Sequence, residues 1–479
     1  MSDLLLIYPK TGIDVKAALA PPHSLLAVAA LPDKMGMKVC ILDQRIMNEA
    51  TFNQKLDNEL KENPLAIGIS TMTGTQIKFA IDIAKQIKRK SNIPVIWGGT
   101  HPTLQGQQTL DSGYADAVCV GEGDYQFYYN VIENNFKGIW TTSKYANLDD
   151  LPDTPFHLIN IENYIHNDMY LKNSPRTLDI GQTSRGCPFR CGFCCRGGKH
   201  WRAMSADKAI EMISKAVKNY NLTGIWLRDD EFYIDLDRAE KICKGIMKLG
   251  VKWYTCGTRI DIFNKTPDEQ VYIYKESGAG VLKFGAESGS NRMLDLMNKK
   301  IHVEDTIKAN LKAKKHGIVP AYNLVIGFPT QTFEEIDETI DLIKRLKKDN
   351  HDARFETMLT YAPMAGTPMW ELAINNGFKP PEKLEDWINW RFDEYDTKGD
   401  RLAWYDKKER NAIGNLCYLT SLTFAIPNLL ETYDGIGWKI MKILYKVPNK
   451  YFEWRFNNKS YRWMPELKII KNARELMSY

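Results

Sequence analysis

Three absences narrow the class of this chain before any motif is read. No run of about 18 uninterrupted apolar residues occurs, so no membrane-spanning helix is expected. Cysteine is scarce, nine in 479 residues, which excludes a small disulfide-stapled scaffold. Charge of one sign is also missing. Lys and Arg total 64 against 59 Asp and Glu, a net of +5, too little to argue for a nucleic-acid partner. The opening MSDLLLIYPK has an acid and no basic residue before a short apolar run, and reads as a first strand rather than a secretion signal. What remains, 44% hydrophobic and 26% charged residues, is the make-up of a multidomain α/β protein of the cytoplasm.

Residues 1–135 alternate short apolar runs with helical patterns. LLLIY (4–8), KVCILD (38–43), LAIGIS (65–70), PVIWGG (94–99) and DAVCVG (116–121) are apolar on both faces, as parallel strands covered by helices must be. Residues 23–36, 50–62, 75–90 and 102–112 carry helical periodicity. Five such units predict an open, doubly wound, flavodoxin-like sheet whose ligand lies beyond the carboxyl ends of the strands. Small and hydroxyl residues gather there: Ser70 to Gly74, Gly98 to His101, and Gly121-Glu122-Gly123. Residues 136–176, with the acidic, proline-bearing NLDDLPDTPF, read as a linker.

Residues 177–362 alternate again, with strands starting near 177, 224, 252, 281, 320 and 354. Six repeats over about 185 residues fall short of the eight-unit barrel, which needs roughly 250, and predict a partial (β/α)6 barrel. From 363 to 479 the rhythm stops. This stretch holds seven of the twelve tryptophans and predicts a separate, mainly helical, aromatic-rich domain.

The first strand of the second unit ends in SRGCPFRCGFCC, which places Cys187, Cys191 and Cys194 in a C-x3-C-x2-C pattern. Chance delivers that triple in about three of a thousand chains of this composition. A loop rich in Gly, Pro and Arg buries poorly, so packing does not explain three thiols on it. Zinc wants a fourth ligand, for which Cys195 and His200 are the neighbours. An iron–sulfur cluster held by three cysteines leaves one iron open.

C-x3-C-x2-C with Phe193 before the last cysteine resembles the signature of the radical S-adenosylmethionine superfamily. The resemblance implies a [4Fe–4S] cluster on Cys187, Cys191 and Cys194 that chelates S-adenosylmethionine, and one-electron cleavage to a 5′-deoxyadenosyl radical. It further implies S-adenosylmethionine contacts at Phe193, at Asp230 or Asp229 in LRDDEF, at Arg259 through a bidentate fork, at Glu287 in GAESGS for the ribose, and at Ile326 and Gly327 in NLVIGFPTQT near the adenine.

A doubly wound domain before such a barrel is similar to the cobalamin-binding class of these enzymes. The likeness implies cobalamin held by Ser70, Thr73, Gly98, Gly99, His101, Gly121 and Glu122, with PPHS (21–24) and its His23 near the corrin ring. In the corrinoid domain, an Asp-x-His-x-x-Gly turn supplies a cobalt ligand. Here the turn reads Asp43-Gln44-Arg45, and a guanidinium has no lone pair for cobalt.

The carboxyl-terminal residues 436–479 contain ten Lys or Arg and three acids, a local +7, with Trp438, Trp454 and Trp463. That is a basic-aromatic surface suited to peripheral membrane contact through 416–479. Before it, LCYLTSLTFAIPNLL (416–430) is too short to span and predicts a buried helix or a greasy channel. No nucleic-acid module is present.

Together these predict an enzyme that modifies an unactivated carbon of a small-molecule or lipid-like substrate, fed electrons by a flavodoxin- or ferredoxin-type donor. C-methylation leads. A non-methylating rearrangement or oxidative cyclisation, as in an anaerobic porphyrin cyclase, and a corrinoid- or cluster-carrying sensor stand as the alternatives.

Overall fold

In a computed structural model, Leu4–Tyr8 (β1) is buried along nearly its whole length, as a strand must be when layers cover both sheet faces. The structure describes the chain except for residues 1, 13, 15–18, 143–144, 196–199, 391–399, 433–434 and 468–479. It forms two compact units, the first made of Met1–His166, Arg202–Lys208 and Pro380–Glu394, the second of the remainder.

The first unit carries β1, Val39–Asp43 (β2), Ala66–Ser70 (β3), Val95–Gly98 (β4), Ala117–Val120 (β5) and Gly138–Thr141 (β6) in the order β2-β1-β3-β4-β5-β6. Every neighbouring pair is parallel, with Ser70 opposite Gly98. This is the flavodoxin-like order with one strand more than the five-unit expectation. The supposed linker at 136–176 is therefore corrected: β6 lies within it, and residues up to His166 belong to this unit. Only Trp140 of β6 is buried, so neither an alternating nor a continuous apolar pattern marks the strand. The predicted single helix at 102–112 is broken at Gln105 into Thr100–Leu104 and Gly106–Asp111.

In the second unit, strands Thr177–Gly181, Gly224–Leu227, Lys252–Thr258, Ala279–Glu287, Val319–Ile326 and Arg354–Phe355 lie side by side in chain order, all parallel. A further pair, Leu359–Thr360, also borders Val319–Ile326. Helices such as Phe333–Asp349 cross between strands. That helix starts on a capping box in which Thr332 and Glu335 satisfy each other's backbone N–H groups,. This matches the partial six-strand barrel.

The stretch 363–479 is not a separate domain. Pro380–Glu394 clusters with the first unit and the other described residues with the second. In the first unit, Trp387 lies edge-on to His101 and donates its indole N–H to Gln108 at 2.6 Å. Residues Lys407–Thr432 form a continuous helical run that is long and apolar enough to pass as a membrane span by composition, yet half of that apolar stretch is buried inside the protein. Leu416, Cys417, Leu419, Leu422 and Leu430 are all core residues, in line with a buried helix.

At the end of β2, Asp43 and Arg45 form a buried ion pair. Arg45 Nε and Nη2 donate to the two carboxylate oxygens at 2.9 and 2.6 Å, and Nη2 also donates to the Ala20 carbonyl at 2.9 Å. The guanidinium lies over the Tyr8 ring at 4.2 Å, and Tyr164 donates its hydroxyl to Asp43 at 2.8 Å. Burial, with Asp43 adding to it, pushes the Tyr164 hydroxyl well above its usual range. Removing one partner of such a pair strands the other charge without solvent. Asp43→Ala is expected to lower the stability of the first unit by about 3–5 kcal/mol, read as a shift in its denaturant midpoint. A change of less than about 1 kcal/mol would mean that the network contributes little.

Candidate cluster loop and corrinoid cradle

The loop carrying Cys187, Cys191 and Cys194 leaves strand Thr177–Gly181 and is tied down along its length. Gly186 N–H donates to Asp230 at 3.1 Å, and Asn298 Nδ2 donates to the Arg190 carbonyl at 2.8 Å. Gly192 N–H donates to the Met297 carbonyl at 2.7 Å, while its own carbonyl accepts from Met369 N–H at 3.0 Å. A Cβ at Gly192 would sit 3.2 Å from Met369, so the close approach there favours glycine. All three cysteines are half-buried. Burial pushes the Cys187 thiol up to about 11, with Glu231 and the other two cysteines adding to it.

Two cations border these thiols. Arg259 Nη1 donates to Cys191 Sγ at 3.5 Å, and its plane covers the Phe189 ring at 3.7 Å. Lys299 is buried and bonded to Glu287 Oε1 at 2.6 Å. Burial works against the Lys299 charge, but Glu287 and Cys191 outweigh it and raise its pKa. Positive charge beside thiolates stabilises the ligating form and suits an anionic cluster. Among the described residues, no three His, Cys, Asp or Glu side chains converge as a single metal ion requires, and His200 is exposed. Three fastened, cation-flanked cysteines suit an iron–sulfur group.

The expected S-adenosylmethionine residues differ in their surroundings. Glu287 closes its strand with φ +61, a left-handed conformation that is costly for a non-glycine residue and clusters at functional sites. Asp230 faces the cysteine loop through Gly186. Its neighbour Asp229 is instead consumed by Thr183 and Ser184 hydroxyls, with the Thr183 Oγ1 bond at 2.9 Å. Phe193 packs edge-on to Phe328, 6.0 Å between ring centres.

One expectation is corrected, and one residue takes a core position compatible with its expected role. Arg259 does not hold its fork open for a carboxylate. Nε is paired with Asp261 at 2.8 Å, Nη2 with the Lys299 carbonyl at 2.8 Å, and Nη1 with Cys191. Ile326 has no exposed surface and packs as core, its carbonyl bound by Tyr361 N–H at 2.8 Å.

Sequence reading missed Glu231, the third acid of LRDDEF. It is buried, accepting from Arg259 N–H at 3.0 Å and Tyr233 N–H at 3.2 Å. Desolvation pushes its carboxyl up to about 8, against the pull of those N–H groups and of Arg259 and Lys299.

In the first unit, the expected corrinoid residues lie at or just past the ends of β3, β4 and β5. Gly99 has φ +100, and a Cβ on it would lie 2.6 Å from the Thr71 carbonyl, so this position is closed to side chains. A Cβ on Gly98 would meet only ordinary contacts. Ser70 shares a hydrogen bond with Ser24 at 2.7 Å. Thr73 Oγ1 and His101 Nδ1 are joined at 3.1 Å.

The other face of that imidazole, Nε2, and Thr71 Oγ1 are buried without a hydrogen-bond partner. Such orphaned groups fit a polar ligand at these strand ends, and Thr71 joins the candidate residues on that ground. A Cβ on Gly121 would press on the Thr142 hydroxyl. Glu122 is not open to a ligand, because Arg202 holds its carboxylate. Arg45, in its pair with Asp43, also offers nothing to a metal, and His23 lies edge-on to Phe156 at 6.4 Å.

Burial lowers the His101 pKa from 6.5 to about 4. The native state therefore refuses a proton that the unfolded chain accepts. This leaves stability unaffected above pH 6.5 and costs the native state about 3 kcal/mol as pH falls toward 4. His101→Gln is expected to flatten that part of the acid stability profile, followed by chemical denaturation between pH 7 and 4. An unchanged slope would contradict the buried neutral imidazole.

Family models agree with this arrangement. Residues 182–343 match the radical SAM superfamily and residues 10–128 the B12 binding domain. The chain is 30% identical over 416 residues to a protein of Pyrococcus horikoshii named an uncharacterized methyltransferase, covering 81% of this chain and 85% of that one. It is 25% identical to cytidylyl-2-hydroxyethylphosphonate methyltransferase of Streptomyces wedmorensis, covering 76% and 79%. Among solved structures, the cobalamin-dependent S-adenosylmethionine radical enzyme OxsB superposes with a TM-score of 0.74 at 17% identity, over 99% of this chain and 75% of that one. The chain belongs to the radical S-adenosylmethionine enzymes that carry an amino-terminal B12-binding domain.

Proposed function

We propose that this enzyme methylates an unactivated carbon of a small-molecule or lipid-like substrate. The first unit binds the corrinoid, and the second unit binds the cluster and S-adenosylmethionine. The observation that carries this reading is the cysteine loop, fastened at Gly186, Arg190 and Gly192 and flanked by Arg259 and Lys299. When bound, the cluster with S-adenosylmethionine supplies a radical strong enough to remove hydrogen from carbon, and the corrinoid supplies the methyl group.

The chain's own residues do the rest. Cys187, Cys191 and Cys194 would hold the cluster through their thiolates. Arg259 and Lys299 offset thiolate charge. Glu287, with two oxygens and a single lysine partner at Oε1, retains acceptor capacity for a hydroxyl pair. Glu231, whose carboxyl burial pushes up to about 8, holds the Arg259 and Tyr233 amides beside the loop. In the first unit, Thr71, Thr73, Gly99 and His101 form the polar, close-fitting cradle.

Sequence relatives named as methyltransferases support methyl transfer over rearrangement or cyclisation. Electrons come from a flavodoxin- or ferredoxin-type donor. The enzyme works in the cytoplasm, a reading that its free cysteines support,.

Anaerobic protein given S-adenosylmethionine and a low-potential reductant is expected to release 5′-deoxyadenosine. Cys191→Ala abolishes this release together with the iron–sulfur absorbance. Arg259→Gln keeps the cysteines and lowers the rate about tenfold. Turnover unaffected by Cys191→Ala would sink the cluster assignment.

A further inference from the structure

Helix Ile436–Asn457 is held to the second unit by one side alone. Phe452 and Phe456 are buried, Phe456 lies edge-on to Phe424 at 5.0 Å, and Tyr445 donates its hydroxyl to the Leu422 carbonyl at 2.7 Å. The opposite side is apolar and open to solvent. Ile436 is 80% exposed, Ile443 and Leu444 64%, Val447 77% and Trp454 56%. With Ile440, these fall at spacings of 4, 3, 1, 3 and 7 along the helix, a stripe roughly 100° wide at 3.6 residues per turn. A contiguous exposed apolar row of six large side chains is rare on a monomer surface and marks an interaction site.

The charge around the stripe selects the occupant. Lys439, Lys442, Lys446 and Lys450 follow one edge of it, and among the described residues none of them has an acidic partner. Glu453 is the sole acid on the helix. Protein-binding surfaces are depleted in lysine and carry polar groups that orient a partner. This face instead offers an aliphatic row, a lysine row, and exposed Trp454 and Trp463 at its carboxyl-terminal end, Trp463 being 75% exposed. Aliphatic residues below, lysines at the level of anionic headgroups and tryptophans at the boundary form the pattern of a helix lying in a membrane interface.

We infer that helix Ile436–Asn457 docks the enzyme onto an anionic bilayer surface, lying in its plane with Ile440, Ile443, Leu444 and Val447 in the acyl boundary and the four lysines against the headgroups. The lipid is a docking surface here, independent of what the active site methylates.

The test is vesicle flotation of full-length, cofactor-loaded protein. Phosphatidylcholine vesicles with about one-third phosphatidylglycerol are compared with phosphatidylcholine alone. Binding to the anionic vesicles is expected, weakening as salt rises, with a blue shift of tryptophan emission. The double variant Ile443→Glu, Val447→Glu is expected to reduce binding about tenfold or more. Replacing the four lysines by glutamine should cost about fivefold for each charge near the surface. S-adenosylmethionine cleavage in solution should stay at the wild-type level in both variants, which shows that they fold. Equal binding to neutral vesicles would overturn the electrostatic part. Wild-type binding retained by the double variant would overturn the docking face. So would a concentration-dependent dimer that the same variant dissolves without any vesicle binding, since the row would then join two copies of the chain.

Discussion

The six- and seven-stranded sheets are parallel throughout, and that constraint orders everything else. A parallel strand cannot return by a hairpin, so each must be followed by a crossover, and the loop after every strand emerges at the same edge of its sheet. In the first unit this edge collects Thr71, Thr73, Gly99 and His101. In the second it collects the cysteine loop after Thr177–Gly181, Asp229 to Glu231 after Gly224–Leu227, Arg259 after Lys252–Thr258 and Glu287 at the end of Ala279–Glu287. Residues scattered over more than a hundred positions become neighbours because the connectivity permits nothing else.

Crowding polar groups at one edge creates a desolvation problem, and the pairings answer it. Glu287 and Lys299 neutralise each other in a buried pair, Arg259 is bound on all three nitrogens, and Asp229 takes two hydroxyls and a backbone N–H. Such pairs add little net stability, but breaking one is expensive, so the side chains stay in a single arrangement. Glu231 is the exception: among the described residues it has no ion-pair partner of its own, and burial pushes its carboxyl up to about 8 against the pull of Arg259 and Lys299. The same economy explains Arg45. Its guanidinium completes a buried network with Asp43, Tyr8 and Tyr164 where a cobalt-ligating histidine would otherwise be sought.

The central strands were legible because they are apolar on both faces, and the cysteine spacing was legible because packing has no use for it. What escaped reading depended on partners distant in sequence. Strand Gly138–Thr141 buries a single residue, and the acidic, proline-bearing stretch after it suggested a linker. Pro380–Glu394 joins the first unit through Trp387 and its contacts with Gln108 and His101, more than 270 positions away. In LRDDEF three acids follow one another on a loop without periodicity, so nothing in the letters says that Asp229 takes hydroxyls, Asp230 the Gly186 amide and Glu231 the Arg259 amide. Arg259 and Ile326 were assigned by position, while their roles follow from what surrounds them. The basic-aromatic character of the carboxyl terminus was plain in composition, but which side of helix Ile436–Asn457 remains open is decided by where Phe452 and Phe456 pack.

The account stands on the first unit being a working corrinoid site joined to a radical-generating unit. Corrinoid content after anaerobic purification from cobalamin-fed cells, set against protein and iron, tests this most directly. The account predicts close to one corrinoid per chain, retained with an intact cluster. A value near zero with the cluster still in place would contradict it, leaving a radical enzyme whose doubly wound unit has another purpose.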